Sequence, residues 1–248
     1  MRNIFVITSR ELLSYFGSSL GYILAAIFVA ISAGLTFYFG HFFDRGVADL
    51  NAFFQYHPWL HLLLMPALGM RLWAEEIKLG TFEFLICLPV KIIEAVVGKF
   101  LAAWIYSGVV LVLTFPLWIT VNLTGNPDNG VIFATYGASW LMAGGFLALS
   151  ACASSMTSNQ AVAFVIAVTM CFLSMMTGVE LIQGSFHGWA PEWLTETVSQ
   201  LSMMSNFNEI SKGVIDFGNF LYFFSLITMG LLINSLIIEI KYKETFCL

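Results

Sequence analysis

The chain has 248 residues, ten basic and fifteen acidic side chains, a net charge of −5 and a mean hydropathy of +0.86. Charged residues make up 10% of it, against roughly 25% in ordinary soluble domains, which is too little polar side chain to clothe a water-exposed surface. Lipid must be the solvent for much of it, a separate soluble domain has no room, and the acidic balance points away from nucleic acid.

Residues 1–19 carry Phe5, Leu12, Leu13 and Phe16 beside Arg2, Arg10 and Glu11. This pattern predicts a helix lying in the inner membrane interface rather than a cleavable signal peptide. Six apolar stretches follow at 22–43, 58–73, 95–121, 131–156, 161–181 and 220–240. They are continuous rather than alternating, so they read as helices and not barrel strands, and ~20 apolar residues suffice to cross a bilayer. The predicted fold is therefore an all-α integral membrane protein, one transmembrane domain over 1–248 with six spans. Arg2, Arg10, Arg71, Lys78, Lys91, Lys99, Lys241 and Lys243 fall on the side that holds both termini, and Arg45 and Lys212 on the other. The excess of Lys and Arg makes the first side cytoplasmic.

Between the spans, 74–94 is the one sizeable cytoplasmic loop. Residues 183–219 form the longest outer segment, in which Leu194, Val198 and Leu201 share a helical face beside Trp189 and Trp193. A short amphipathic or re-entrant helix before the last span is expected there.

The cytoplasmic loop has local structure written into it. Gly80 is suited to end a helix in the left-handed conformation, and Thr81 to cap a new one. Glu83 sits in that helix's first turn, where its charge favours the positive end of the dipole. Phe82, Leu85 and Ile86 share a face, and Pro89 closes the element. A two-turn helix cannot stand alone in water. It must pack on its own membrane domain or on a partner.

Other candidate residues have plainer readings. Glu180 ends the fifth span at the outer leaflet, where it is a candidate outer gate. Arg71 can anchor the second span by reaching toward the interface. His41, His57 and His61 gather near the outer face and read as interfacial, with no completed ligand set and hence no metal. The four cysteines show no metal-ligand spacing and read as free thiols. Small residues along the fourth span, Gly144, Gly145, Ala148, Ala151 and Cys152, read as close helix packing.

Glu75-Glu76 followed by Gly80-Thr81-x-Glu83-x-Leu85 and Leu88-Pro89 resembles the signature of ABC-2-type permeases, most closely the small gliding-motility-type permeases. Glu11-Leu12-x-x-Tyr15-Phe16, Ser154-Ser155-x-Thr157-x-Asn159-Gln160 and the stretch from Phe207 through Glu209, Lys212, Gly213 and Asp216 to Tyr222-Phe223 follow in the family's order; Ile77 departs from it, where a basic residue is usual. The resemblance implies a coupling helix at 74–90 seated on a cytosolic ABC ATPase, with Glu75, Glu76, Gly80, Thr81, Phe82, Glu83, Leu85 and Pro89 as coupling residues. It further implies a second permease copy or paralogue completing the path, an extracytoplasmic accessory protein, and export across a bacterial inner membrane. The chain has no phosphate-binding loop, since its only Gly-Lys pair, Gly98-Lys99, is followed by Phe100. ATP and Mg²⁺ are thus expected on the partner ATPase, with no cofactor and no enzymatic activity in this chain. An ion-coupled carrier and an intramembrane enzyme are the alternatives. The enzyme would need Glu75-Glu76 beside the histidines, which the topology sets a bilayer apart.

Overall fold

The computed structural model describes residues 2–44, 46–82, 90–177, 201–214 and 216–246, and the described residues are overwhelmingly helical. In chain order the helices are α1 (Arg2–Gly17), α2 (Ser19–Gly34, continued by a π-helical turn Leu35–Phe39), α3 (Asn51–Phe54), α4 (His57–Gly69), α5 (Arg71–Leu79), α6 (Ile92–Val112), α7 (Phe115–Thr124), α8 (Asn129–Met156), α9 (Gln160–Met176), α10 (Met203–Ser211) and α11 (Phe217–Phe246).

Four stretches are long and apolar enough to cross a membrane: Ser19–Phe39, Ile92–Thr124, Asn129–Met156 and Phe217–Lys241. The chain is an all-α membrane protein. The other two expected spans are shorter: α4 has 13 residues and bends into α5 at Met70, and α9 has 17 and ends at Met176. Residues 178–200 lie outside the described residues, and with them Glu180 and most of the expected outer amphipathic helix.

The core is built around α8. Of its most apolar window 67% is buried, against 22% for α2 and 28% for α11, so α8 is the hub and the other two face outward. Asp128 starts α8 by accepting hydrogen bonds from the backbone N–H groups of Gly130 (2.9 Å) and Val131 (3.3 Å). The small residues along α8 are where its neighbours press in. A methyl on Gly144 would meet the Trp104 indole, one on Gly145 would meet Met203 and Leu226, and Gly230 of α11 lies against Ala148. With no hydrophobic force between helices in lipid, such close approach is what gathers them.

Three boundaries have visible causes. Between α6 and α7, Pro116 has no N–H to continue the helical ladder, and the Thr114 hydroxyl donates to the Leu111 carbonyl at 2.6 Å. At α9, the Asn159 side chain accepts from the Ala161 N–H (3.0 Å). At α10, Ser202 Oγ accepts from the Ser205 N–H (3.4 Å) and donates to the Met175 carbonyl (3.2 Å), so the cap also fastens α10 to the end of α9.

The contact between α4 and α8 leaves no slack, since a Cβ on Gly69 would stand 2.4 Å from Ser150 Cβ. Gly69→Ala should therefore cost about 1–3 kcal/mol and lower the melting temperature of the detergent-solubilised protein. Gly137→Ala on the open face of α8, where nothing lies within 4 Å, should leave it unchanged or raise it.

Candidate functional site

The sequence directs attention to the segment between α5 and α6, and the structure shows how its two ends are held. On the incoming side, Gly80 ends α5 at φ 71°, a left-handed conformation that a side chain disfavours. Thr81 is itself helical rather than the residue before the helix, and its hydroxyl donates to the Glu76 carbonyl (3.4 Å). Phe82 is buried and meets Trp73 edge-on, ring centroids 6.3 Å apart. The apolar side of the loop thus begins by packing on its own membrane domain. Glu83, Leu85 and Pro89 lie outside the described residues.

On the outgoing side, α6 starts with Glu94, whose carboxylate accepts from the Lys91 N–H (3.3 Å) and from Asn3 Nδ2 of α1 (3.1 Å). The two helices run parallel: Asn3 meets Glu94, Thr8 donates to the Gly98 carbonyl (3.1 Å), and Tyr15 stacks on Tyr106 at 5.4 Å. The outward face of α1 keeps Phe5, Val6 and Leu13 exposed, as a helix in contact with lipid would.

Between these two ends lies Lys99, on the third turn of α6 and 3% exposed. Its Nζ is 2.6 Å from Glu76 Oε1 on α5 and 3.4 Å from Glu11 Oε1 on α1, and it lies 5.2 Å from the centre of the Trp73 ring. Arg10 closes on the same Glu11 oxygen at 2.8 Å. Burial pushes the Glu11 carboxyl up, but the charge of Lys99 and the hydrogen bond from Arg10 outweigh it and hold the group below the ordinary carboxylate range. One ammonium thereby joins α1, the helix entering the loop and the helix leaving it.

A second fastening sits one turn upstream. Met70 ends α4 and starts α5, so the first N–H groups of α5 need partners from elsewhere. Ser154 of α8 supplies them: its Oγ accepts from the N–H groups of Trp73 (3.1 Å) and Ala74 (3.0 Å) and donates to the Met70 carbonyl (2.8 Å). Next to it, the Ser155 carbonyl accepts from Lys241 of α11 (2.8 Å). The Ser154–Gln160 motif is a junction of four helices.

The acidic pair is occupied within the chain. Glu75 takes a two-point ion pair with Arg71 (2.8 and 3.3 Å), and Glu76 takes Lys99. The second oxygen of Glu76 has no partner among the described residues. Arg71 reaches along α5 to Glu75, one turn further on.

The histidines correct the sequence reading. His41 is exposed beside Asp44, but His57 and His61 are 0% and 2% exposed, deep in the protein rather than at its edge. His57 Nδ1 and His61 Nε2 converge on the Ser139 hydroxyl of α8 at 2.8 and 2.9 Å, inside a ring of Phe28, Phe53 and Phe54. Their spacing of four places them on one face of α4, and that face turns inward. Among the described residues no group of three His, Cys, Asp or Glu could hold a metal ion.

Lys99 is the functional residue the sequence reading did not single out. Its signal was present: a lysine inside the apolar stretch 95–121 must find a carboxylate or leave the membrane domain.

No protein-family model matches the chain, and no curated protein matches it.

Glu11 provides a pH test. Its carboxyl titrates lower in the folded protein than in the unfolded chain, so the stability it contributes is full above the unfolded value of about 4.3 and is lost as pH falls through the lower folded value. Melting of the purified protein followed between about pH 6 and pH 3 should show that loss, and Glu11→Gln should flatten the acid limb. Ser154→Ala, which strands two N–H groups and a carbonyl, should cost about 1–3 kcal/mol in the same assay.

Proposed function

We propose that this chain is the membrane-spanning permease subunit of an ATP-binding cassette exporter of the ABC-2 type, with six spans, both termini and the 74–94 loop in the cytoplasm. In this reading the loop is the coupling element, a separate cytosolic ATPase binds and hydrolyses ATP, and a second copy or paralogue completes the path. An extracytoplasmic accessory protein would face the outer segments.

The observation that carries the reading is the fastening of the loop's two ends. A coupling element works only if force on it reaches the spans undiminished. The α5 end is pinned to α8 through Ser154 and to α6 through Glu76–Lys99, while the α6 end is pinned to α1 through Glu94–Asn3. A load on residues 80–90 would therefore move α1, α5, α6 and the hub α8 together, not stretch a slack tether. Glu75 and Glu76 then act mainly by shaping the base of the loop, and direct contact with the ATPase falls to Glu83 and the residues around it.

The buried His57–Ser139–His61 cluster favours a second reading, an ion-coupled carrier, because polar groups of this kind inside a membrane domain are the usual seat of ion coupling. The two readings separate on the energy source. In proteoliposomes holding the chain and its co-expressed ATPase, transport should require ATP and persist when the ion gradient is collapsed.

Glu83→Lys supplies the loop test. It should abolish recovery of the ATPase with the permease and uncouple ATP turnover while the permease still inserts. Unchanged assembly and unchanged coupled turnover would remove the loop from the coupling role.

A further inference from the structure

On the far side of the molecule from the loop clamp, α6 and α7 part from α8 and leave a groove of about 500 Å³, a volume typical of small-ligand sites. Val109, Val112, Phe115 and Trp118 form one wall; Phe133 and Gly137 form the other.

The groove lining is almost wholly apolar, and the polar side-chain atoms of its tryptophans and tyrosine are used inside the chain. Trp104 and Trp140 stack at 4.4 Å, and each indole N–H donates to the other's backbone carbonyl, at 2.9 and 3.0 Å. The Trp118 indole donates to Asn129 Oδ1 (2.7 Å), and the Tyr136 hydroxyl meets that of Thr114 (3.2 Å). Both walls belong to stretches long and apolar enough to cross a membrane, a setting in which hydrocarbon would meet the opening.

Gly137 deepens the groove. A glycine weakens a helix relative to alanine, and the usual reason for one in a membrane helix is a neighbour pressing on it. Here nothing lies within 4 Å of where its Cβ would be. The space is open to something outside this chain.

The groove also has a polar end. Just past Trp118, Asn122 and Asn129 exchange side-chain hydrogen bonds at 3.0 and 3.1 Å and stay exposed. An apolar trough that finishes at a patch of neutral amides has the polarity profile of an amphiphile lying along it. Phe133 and Phe115 line the same groove and are exposed, bulky neighbours for a packing helix about 10–12 Å across.

We propose that this groove binds one acyl chain of a membrane phospholipid, with the ester region of the lipid at Asn122 and Asn129. The test uses the full chain in vesicles of phosphatidylethanolamine carrying a diazirine in one acyl chain, with the labelled peptides mapped by mass spectrometry. Label should concentrate on residues 105–140 of the wild type and be lost from them in Gly137→Phe, whose ring fills open space. Label on the exposed face of α11 around Leu232 and Leu236 serves as the reference and should not change. Melting of Gly137→Phe checks its fold, and Gly137→Leu takes its place if that variant fails to insert. Labelling of the groove no stronger than that of α11, or unaffected by either substitution, would overturn the proposal. So would disulfide cross-linking between two copies carrying Gly137→Cys, which would show that a second copy covers this face.

Discussion

A buried ammonium group cannot be left alone, and much of one end of this protein is arranged around that fact. Lys99 sits well inside the packed helices, where an unpaired charge would cost several kcal/mol. Glu76 and Glu11 meet it from two other helices, and the Trp73 ring adds its face. A buried ion pair of this kind is not a strong source of stability, since well-packed apolar groups of similar size often do as well. Its effect is one of register. Sliding α1 or α5 along α6 by one residue would pull a carboxylate away from Lys99, the one cation that Glu76 and Glu11 share.

That register gives the rest of this end its shape. With α1 locked along α6, the Thr8–Gly98 bond and the Tyr15–Tyr106 stack fall into line, and the Tyr106 hydroxyl reaches the Gly21 carbonyl at the start of α2. With α5 locked to α6, the bend at Met70 lies against Ser154, and α8 is drawn into the same unit. The loop from Gly80 onward thus leaves from and returns to a single braced base. This is the mechanical property that the proposed coupling role needs.

Elements whose boundaries are set by local chemistry were legible in the sequence. The left-handed Gly80 and the small-residue face of α8 follow from residues within a turn or two of the feature, whereas the expected unbroken span 95–121 is interrupted at Leu113–Thr114, just before Pro116. What was not legible depends on contacts far apart in the chain. Glu75-Glu76 reads as a free acidic surface until Arg71 and Lys99 are seen to occupy it, and Lys99 lies 23 positions from Glu76. His57 and His61 read as interfacial because nothing in α4 announces Ser139, 82 and 78 positions away. Thr81 was expected to cap the next helix and is instead already helical, with its hydroxyl on the Glu76 carbonyl five residues back.

The claim beneath this account is that Lys99 and Glu76 act as one unit across the base of the loop. A double-mutant cycle of Lys99→Met, Glu76→Gln and the pair, read as the unfolding free energy of the purified chain, measures that directly. Each single substitution should destabilise, and the double variant should recover much of the loss, with a coupling energy at the upper end of the ~0.5–3 kcal/mol found for residues in contact. Strictly additive effects would mean that the ammonium and the carboxylate do not hold α5 to α6, and the braced base would have to be abandoned.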